Sequence, residues 1–137
     1  MDVTLAVLAD HANVSDQGKL NILGIFDRIL ASNFPAVHPQ LHLVLRFSAS
    51  PAERGKIKAV EIQLLDSDGE EIVKVAGTME VPKEPKQLTP NWHQIITINM
   101  LQFPREGEYA FHILINEELK TVARLVVEQI PVSNGED

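Results

Sequence analysis

The stretch "ADHANVSDQGKLNILGIFDRI", residues 9–29, sets Asp10, His11, Asp27 and Arg28 into two apolar runs that flank a turn-forming segment. Two carboxylates placed diagonally across a hairpin can share a cation or a hydrogen-bond network. A loop closed around Gln17-Gly18 predicts the pairs Asp10 with Ile25 and Leu8 with Asp27, which brings Asp10 and Asp27 to that diagonal. A slip of one residue sends Asp27 to the other face. In the purely structural reading Asp10 caps the hairpin through backbone N–H groups, and Asp27-Arg28 is a local ion pair at a strand end. In the functional reading this hairpin is the contact surface for a partner or a second subunit.

The histidines offer a second chemistry. "HPQLH" sets His38 and His42 four residues apart, a spacing that on a helix presents two imidazoles to one zinc ion. Pro39 and the alternating run after it predict a loop at His38 and a strand mouth at His42, with His42 facing solvent, so no metal site is expected. "DSDGEE", residues 66–71, alternates oxygen ligands as calcium loops do. It is shorter than an EF-hand loop, and an ordinary Asp-Gly hairpin turn accounts for each of its residues. "NWHQ" holds the one tryptophan, Trp92, beside His93. Trp92 is either a stacking platform for a sugar or a partner's side chain, or a cover over one end of the core. Tyr109 is expected to pack at a strand start with its hydroxyl on a backbone carbonyl. No serine sits in a Gly-x-Ser-x-Gly elbow, no glycine-rich loop suits a phosphate, and no cofactor is expected.

Composition narrows the classes further. The chain has 137 residues, enough for one domain with a core of its own. Its formal net charge of −7 and its scattered Lys and Arg residues argue against nucleic acid, whose phosphates need a basic face. The absence of cysteine excludes disulfides, thiolate zinc sites and a cysteine nucleophile, and fits a reducing compartment. No basic leader opens the sequence, and no run approaches the roughly 20 apolar residues of a membrane helix. The expectation is a cytoplasmic protein that binds no membrane.

The elements that must position these residues read with period two. In "LHLVLRFSA", residues 41–49, Leu41, Leu43, Leu45 and Phe47 share one face and His42, Arg46 and Ser48 the other. Similar alternation puts Val60, Ile62 and Leu64 on one face, then Ile96, Ile98 and Met100, then Tyr109, Phe111, Ile113 and Ile115, then Leu125 and Val127. The proline-bearing stretches "SNFPAVHPQ" and "PKEPKQLTPN" are excluded from central strands because proline lacks a donor. About eight strands without an amphipathic helix predict an all-β fold, an antiparallel, Greek-key-like β-sandwich over residues 1–132 with a frayed tail at 133–137.

The first two strands, residues 3–8 and 20–30, are apolar on both faces. Such strands are covered on both sides, so the second cover is expected to be a loop or another subunit, and a homo-oligomer through these strands or an unknown protein partner follows. The segments "LAVLADHANVSDQGKLNILGIFDRI" and "FPAVHPQLHLVLRF" resemble the start of an uncharacterised family of small microbial proteins, a domain of unknown function. The matching residues are Leu8, Ala9, Asp10, His11, Ala12, Gly18, Lys19, Leu20, Gly24, Asp27 and Arg28. That resemblance implies no activity, cofactor or catalytic residue.

These observations point to a non-catalytic binding or assembly module working through the hairpin surface, with Asp10, His11, Asp27, Arg28, His38, His42, Trp92 and His93 as candidate binding residues. Two other classes compete with it. A small enzyme would gather at least two of His11, His38, His42 and His93 with a carboxylate in a deep pocket. A carbohydrate- or calcium-binding sandwich would expose Trp92 beside a groove or cluster its acidic loops.

Overall fold

The computed structural model describes residues 1–131; residues 132–137, which include the expected tail, lie outside the described residues. Nine strands build two sheets, and the only helical element among the described residues is one 3-10 turn at Pro51–Glu53. The hairpin strands β1 (Asp2–Val14) and β2 (Leu20–Phe26) open the chain, followed by the short β3 (Arg28–Ala31) and the long β4 (Ala36–Ser48). Then come the hairpin β5 (Ile57–Leu65) and β6 (Glu71–Glu80), the long β7 (Asn91–Phe103), and the pair β8 (Gly107–Ile115) and β9 (Glu118–Gln129). Sheet one has the order β2-β1-β4-β7 and sheet two the order β3-β9-β8-β5-β6.

The predicted all-β sandwich is what forms, with one refinement of strand count. Residues 20–30 are two strands, because the chain bends at Asp27 and leaves sheet one for sheet two. There β3 runs parallel to β9, the one parallel pairing among the described residues. The Asp27 carbonyl accepts the Val126 N–H at 2.9 Å, which ties the bend to sheet two as soon as it is made.

The core lies between the sheets. Leu41, Leu43, Leu45 and Phe47 of β4 meet Ile62 and Leu64 of β5, Phe111 and Ile113 of β8, and Leu125 of β9, all buried. Alternation held these side chains to one face, and one fully buried leucine or phenylalanine contributes on the order of 2–5 kcal/mol against alanine. The Tyr109 hydroxyl donates to the Arg105 carbonyl, and its ring sits 5.0 Å from that of Phe103. The hydroxyl is thus satisfied at the strand start, as its position predicts.

Two expectations about proline and parity are corrected. His38 and Pro39 lie within β4. Strand β1 stops pairing with β4 at Ala9 and His42, so the segment before His42 has β7 as its only neighbour and Pro39 sits at a free edge, where a missing donor costs little. Met100, which stands across from Pro39 in the β4–β7 register, has φ 53° and is 65% exposed. The strand pair changes parity there. Ile96 and Ile98 face the core on one side of Met100 and Leu101 and Phe103 on the other, and Met100 leaves the face assigned to it by alternation.

A second, smaller apolar cluster covers the outer face of sheet one, where Ala9, Ala12 and Val44 pack with Leu5, Val7, Leu20, Ile22 and Ile95. The hairpin itself thus supplies part of its second cover.

Candidate functional site

The hairpin register departs from expectation by one residue. Ser15 N–H bonds the Lys19 carbonyl at 2.8 Å and Gly18 N–H bonds the Ser15 carbonyl at 2.9 Å, with Gly18 at φ 79°. This is a three-residue loop centred on Gln17 with a left-handed glycine at its third position, not a two-residue loop on Gln17-Gly18. The pairs are therefore Leu8 with Phe26, Ala9 with Ile25 and His11 with Leu23. The Ser15 hydroxyl, not Asp10, caps the turn by accepting the Lys19 N–H at 3.1 Å.

Asp10 stands across from Gly24 and lies over it, so that a Cβ built on Gly24 would fall 2.6 Å from Asp10 Oδ2. Gly24 also has φ 74°, a conformation that costs an L-residue roughly 1–2 kcal/mol. Asp27 sits at the bend beyond the end of β2, so the predicted Asp10–Asp27 diagonal does not form. Arg28 pairs across sheet two with Glu128, Nη1 to Oε1 at 3.4 Å, and not with Asp27. Both of those side chains are exposed, and such a pair contributes under about 1 kcal/mol.

The histidines do not converge in one pocket. His38 packs its ring 5.6 Å from Phe26. His42, expected at the surface, is only 7% exposed, because Ala9 lies opposite it in β1 and the His11 ring sits 5.5 Å away, edge to face. The face of sheet one that carries His42 has a cross-strand ladder between β4 and β7. It pairs Gln40 with Asn99 at 2.8 Å, His42 Nδ1 with Thr97 Oγ1 at 3.0 Å, and Arg46 Nε with His93 Nε2 at 3.1 Å. In the last pair Arg46 donates and His93 accepts, so His93 is neutral. Burial, and then the charge of Arg46, holds the His93 imidazole below its ordinary pKa.

The other candidates have structural partners. Trp92 donates its indole N–H to the Met79 sulfur at 3.0 Å and lies 5.5 Å from Phe47, bridging β7 to β6 over the core. In the acidic turn Asp66 is buried, and its Oδ1 accepts the N–H groups of Asp68 and Glu70, both at 2.9 Å. Its Oδ2 takes Arg105 Nη2 at 2.9 Å. A guanidinium occupies the place at this carboxylate where a cation would sit, and among the described residues no three His, Asp or Glu side chains converge on a metal position.

Two of the surface grooves lie along the edge strands of sheet one. One of about 480 Å³ runs between β6 and β7, with Ile72, Val73 and Ile98 along it, Glu71 as its carboxylate and no histidine. Another of about 530 Å³ follows the hairpin past His11, Asn13, Asn21 and Leu23. Leu23 and Ile25, on the strand expected to be covered on both faces, are 71% and 62% exposed on β2, the edge strand of sheet one. Thr97 and Arg46 were also missed as partners of the histidines. The residue types carried no signal for Thr97, since only the β4–β7 register puts it beside His42.

Two sheets, a shared core and an unpaired apolar hairpin edge define a nine-stranded β-sandwich of the two-layer class. The chain belongs to a family of unknown function, DUF6941, whose model matches residues 4–128. No curated protein matches the chain in sequence. Among solved structures it is similar to the Pseudomonas fluorescens alkylpurine DNA glycosylase AlkC bound to DNA containing an abasic site analog. That likeness has 12% identity and a TM-score of 0.47, over 90% of this chain but 30% of the glycosylase. An immunoglobulin-like protein from Pseudomonas aeruginosa is similar at 12% identity and a TM-score of 0.45, over 88% of this chain and 91% of that one. Neither likeness bears on what this chain does. No helix among the described residues is long and apolar enough to cross a membrane.

Proposed function

We propose that the chain is a non-catalytic binding and assembly module of the cytoplasm, which works through its N-terminal hairpin and has a second copy of itself as its first partner. The observation that carries this reading is the character of β2. "LNILGIF" contains neither charge nor proline, forms the edge of sheet one, and exposes Leu23 and Ile25. Natural edge strands are blunted by charges, prolines, bulges or shortness. The edge strand β6 carries Glu71, Lys74 and Glu80, and β3 is four residues long. The other edge of sheet one, β7, also lacks charge and proline but exposes only Met100 among its large apolar side chains, where β2 exposes two in seven residues. Only the kink at Gly24 interrupts β2. Two β2 edges paired antiparallel would join two four-stranded sheets into one and bury Leu23 and Ile25. The dispersal of His38, His42 and His93 among separate partners speaks for binding over catalysis, and the absence of cysteine fits the cytoplasm.

Light scattering over a range of protein concentrations tests the reading, repeated with Ile25→Lys. The expected result is a dimer or larger assembly that the substitution dissociates into monomers that still unfold cooperatively. A chain that stays monomeric at high concentration overturns it.

A further inference from the structure

We propose that His11 and His42 together form a binding site for a borderline divalent transition-metal ion of the zinc type. His42 is more than nine-tenths buried, and its Nε2 has no hydrogen-bond partner. Its other ring nitrogen, Nδ1, is engaged by Thr97 Oγ1 at 3.0 Å. Buried N–H groups are almost always paired, while acceptors are left unpaired more often. The favoured tautomer therefore donates Nδ1–H to the Thr97 hydroxyl and leaves a bare lone pair on Nε2. That is the arrangement of a metal-bound histidine, whose second nitrogen donates to an outer partner that fixes the tautomer and the ring plane.

The second ligand stands beside the first. The ring centres of His11 and His42 are 5.5 Å apart. Two imidazoles that share one tetrahedral zinc at about 2.0–2.1 Å per nitrogen have ring centres about 5.2 Å apart. His11 is exposed, so a turn of its side chain brings a nitrogen to the position facing His42 Nε2. Ala9, opposite His42, carries only a methyl group, and the exposed His11 that stands beside the His42 ring also lines the hairpin groove, so it is the movement of the His11 side chain that opens the buried Nε2 to an ion. Two neutral imidazoles without a carboxylate select zinc, nickel or copper over calcium or magnesium. Water supplies the remaining positions, since no third His, Asp or Glu among the described residues joins them. The spacing of His38 and His42 suggests a different pair; the fold separates those two and brings His11 to His42 instead.

Zinc chloride alone, titrated into the wild-type chain and followed by the side-chain nitrogen resonances of the five histidines, tests the site. Saturable binding of a single ion per chain is expected, with shifts confined to His11 and His42. His11→Asn, at an exposed position that leaves the fold intact, should abolish it, and His38→Ala should leave it unchanged. Thr97→Val removes only the outer acceptor and should weaken binding about 10- to 100-fold. Absence of saturation at millimolar zinc overturns the proposal, as does full binding by His11→Asn or shifts that fall on other histidines. The same titration on Ile25→Lys should give the same shifts, which keeps its outcome separate from that of the assembly test.

Discussion

Replacing Gly24 by alanine should destabilise the hairpin by two separable amounts. The backbone there has φ 74°, which costs an L-residue roughly 1–2 kcal/mol. Loss of unfolded-state freedom returns about 0.4–1 kcal/mol of that. The new methyl also meets Asp10, at 2.6 Å from Oδ2 and 3.1 Å from its Cβ. Overpacking of this kind costs about 1–3 kcal/mol, the low end applying because the Asp10 side chain is exposed and its far end can move. The sum is about 2 kcal/mol for Gly24→Ala, or a fall in melting temperature of roughly 6–10 °C for a domain of this size. Asp10→Ala alone should change stability by less than about 0.5 kcal/mol. In the Gly24→Ala background it should restore about 1 kcal/mol, the steric part, and leave the backbone part in place. Urea unfolding of the four proteins measures this coupling. Additivity within about 0.3 kcal/mol would refute the contact, and with it the register that puts Asp10 across from Gly24. A neutral Gly24→Ala would refute the backbone conformation as well.

Asp66→Ala should cost about 2–3 kcal/mol, since it removes charge-assisted bonds to two backbone N–H groups and to Arg105, the last discounted because Arg105 is half exposed. Asp68→Ala, whose side chain is 75% exposed, should cost under about 0.5 kcal/mol; equal midpoints of urea unfolding for the two variants would contradict the assignment. His93 links stability to pH. Its native pKa is lowered, so the unfolded chain takes up the proton first as pH falls. The stability tied to neutral His93 is complete above about pH 6.5 and is lost as pH falls through the lowered native value. His93→Gln should therefore flatten the decline in unfolding free energy between about pH 7 and pH 5, and an unchanged decline would contradict the Arg46–His93 geometry.

Period two made the core legible. Leu41, Leu43, Leu45, Phe47, Ile62, Leu64, Phe111, Ile113 and Leu125 all face inward as alternation requires, and the Asp-Gly turn at Gly69 forms with φ 84°. Departures from alternation were not legible. Met100 and Gly24 are single residues at positive φ, and the two strand pairs that contain them change direction there, which composition does not announce. The break at Asp27 has the same origin. A largely apolar run from Leu20 to Leu30 suits one long strand, but beyond Asp27 the chain crosses to sheet two and pairs with β9 instead of extending the hairpin edge.

The candidate site was hidden for a related reason. Alternation tells which side of a sheet a residue takes, not what covers that side. His42 alternates as a surface residue would and is buried only because Ala9 of β1 lies opposite it and the His11 ring closes over it. Beyond that point residues 10–14 and 20–24 form a two-stranded ribbon with no third strand, a unit of marginal stability alone. Ala12, Leu20 and Ile22 anchor it to the outer face through a small cluster, while Leu23 on its free edge, and Ile25 just beyond it, remain exposed. A protein that keeps apolar side chains on its least supported element leaves binding free energy unspent there. Whatever engages the ribbon, a second copy at β2 or an ion at His11, binds the folded ribbon and not the frayed one. It must therefore stabilise the ribbon by mass action, and the backbone amides of residues 10–14 and 20–24 are where that protection from hydrogen exchange will register first.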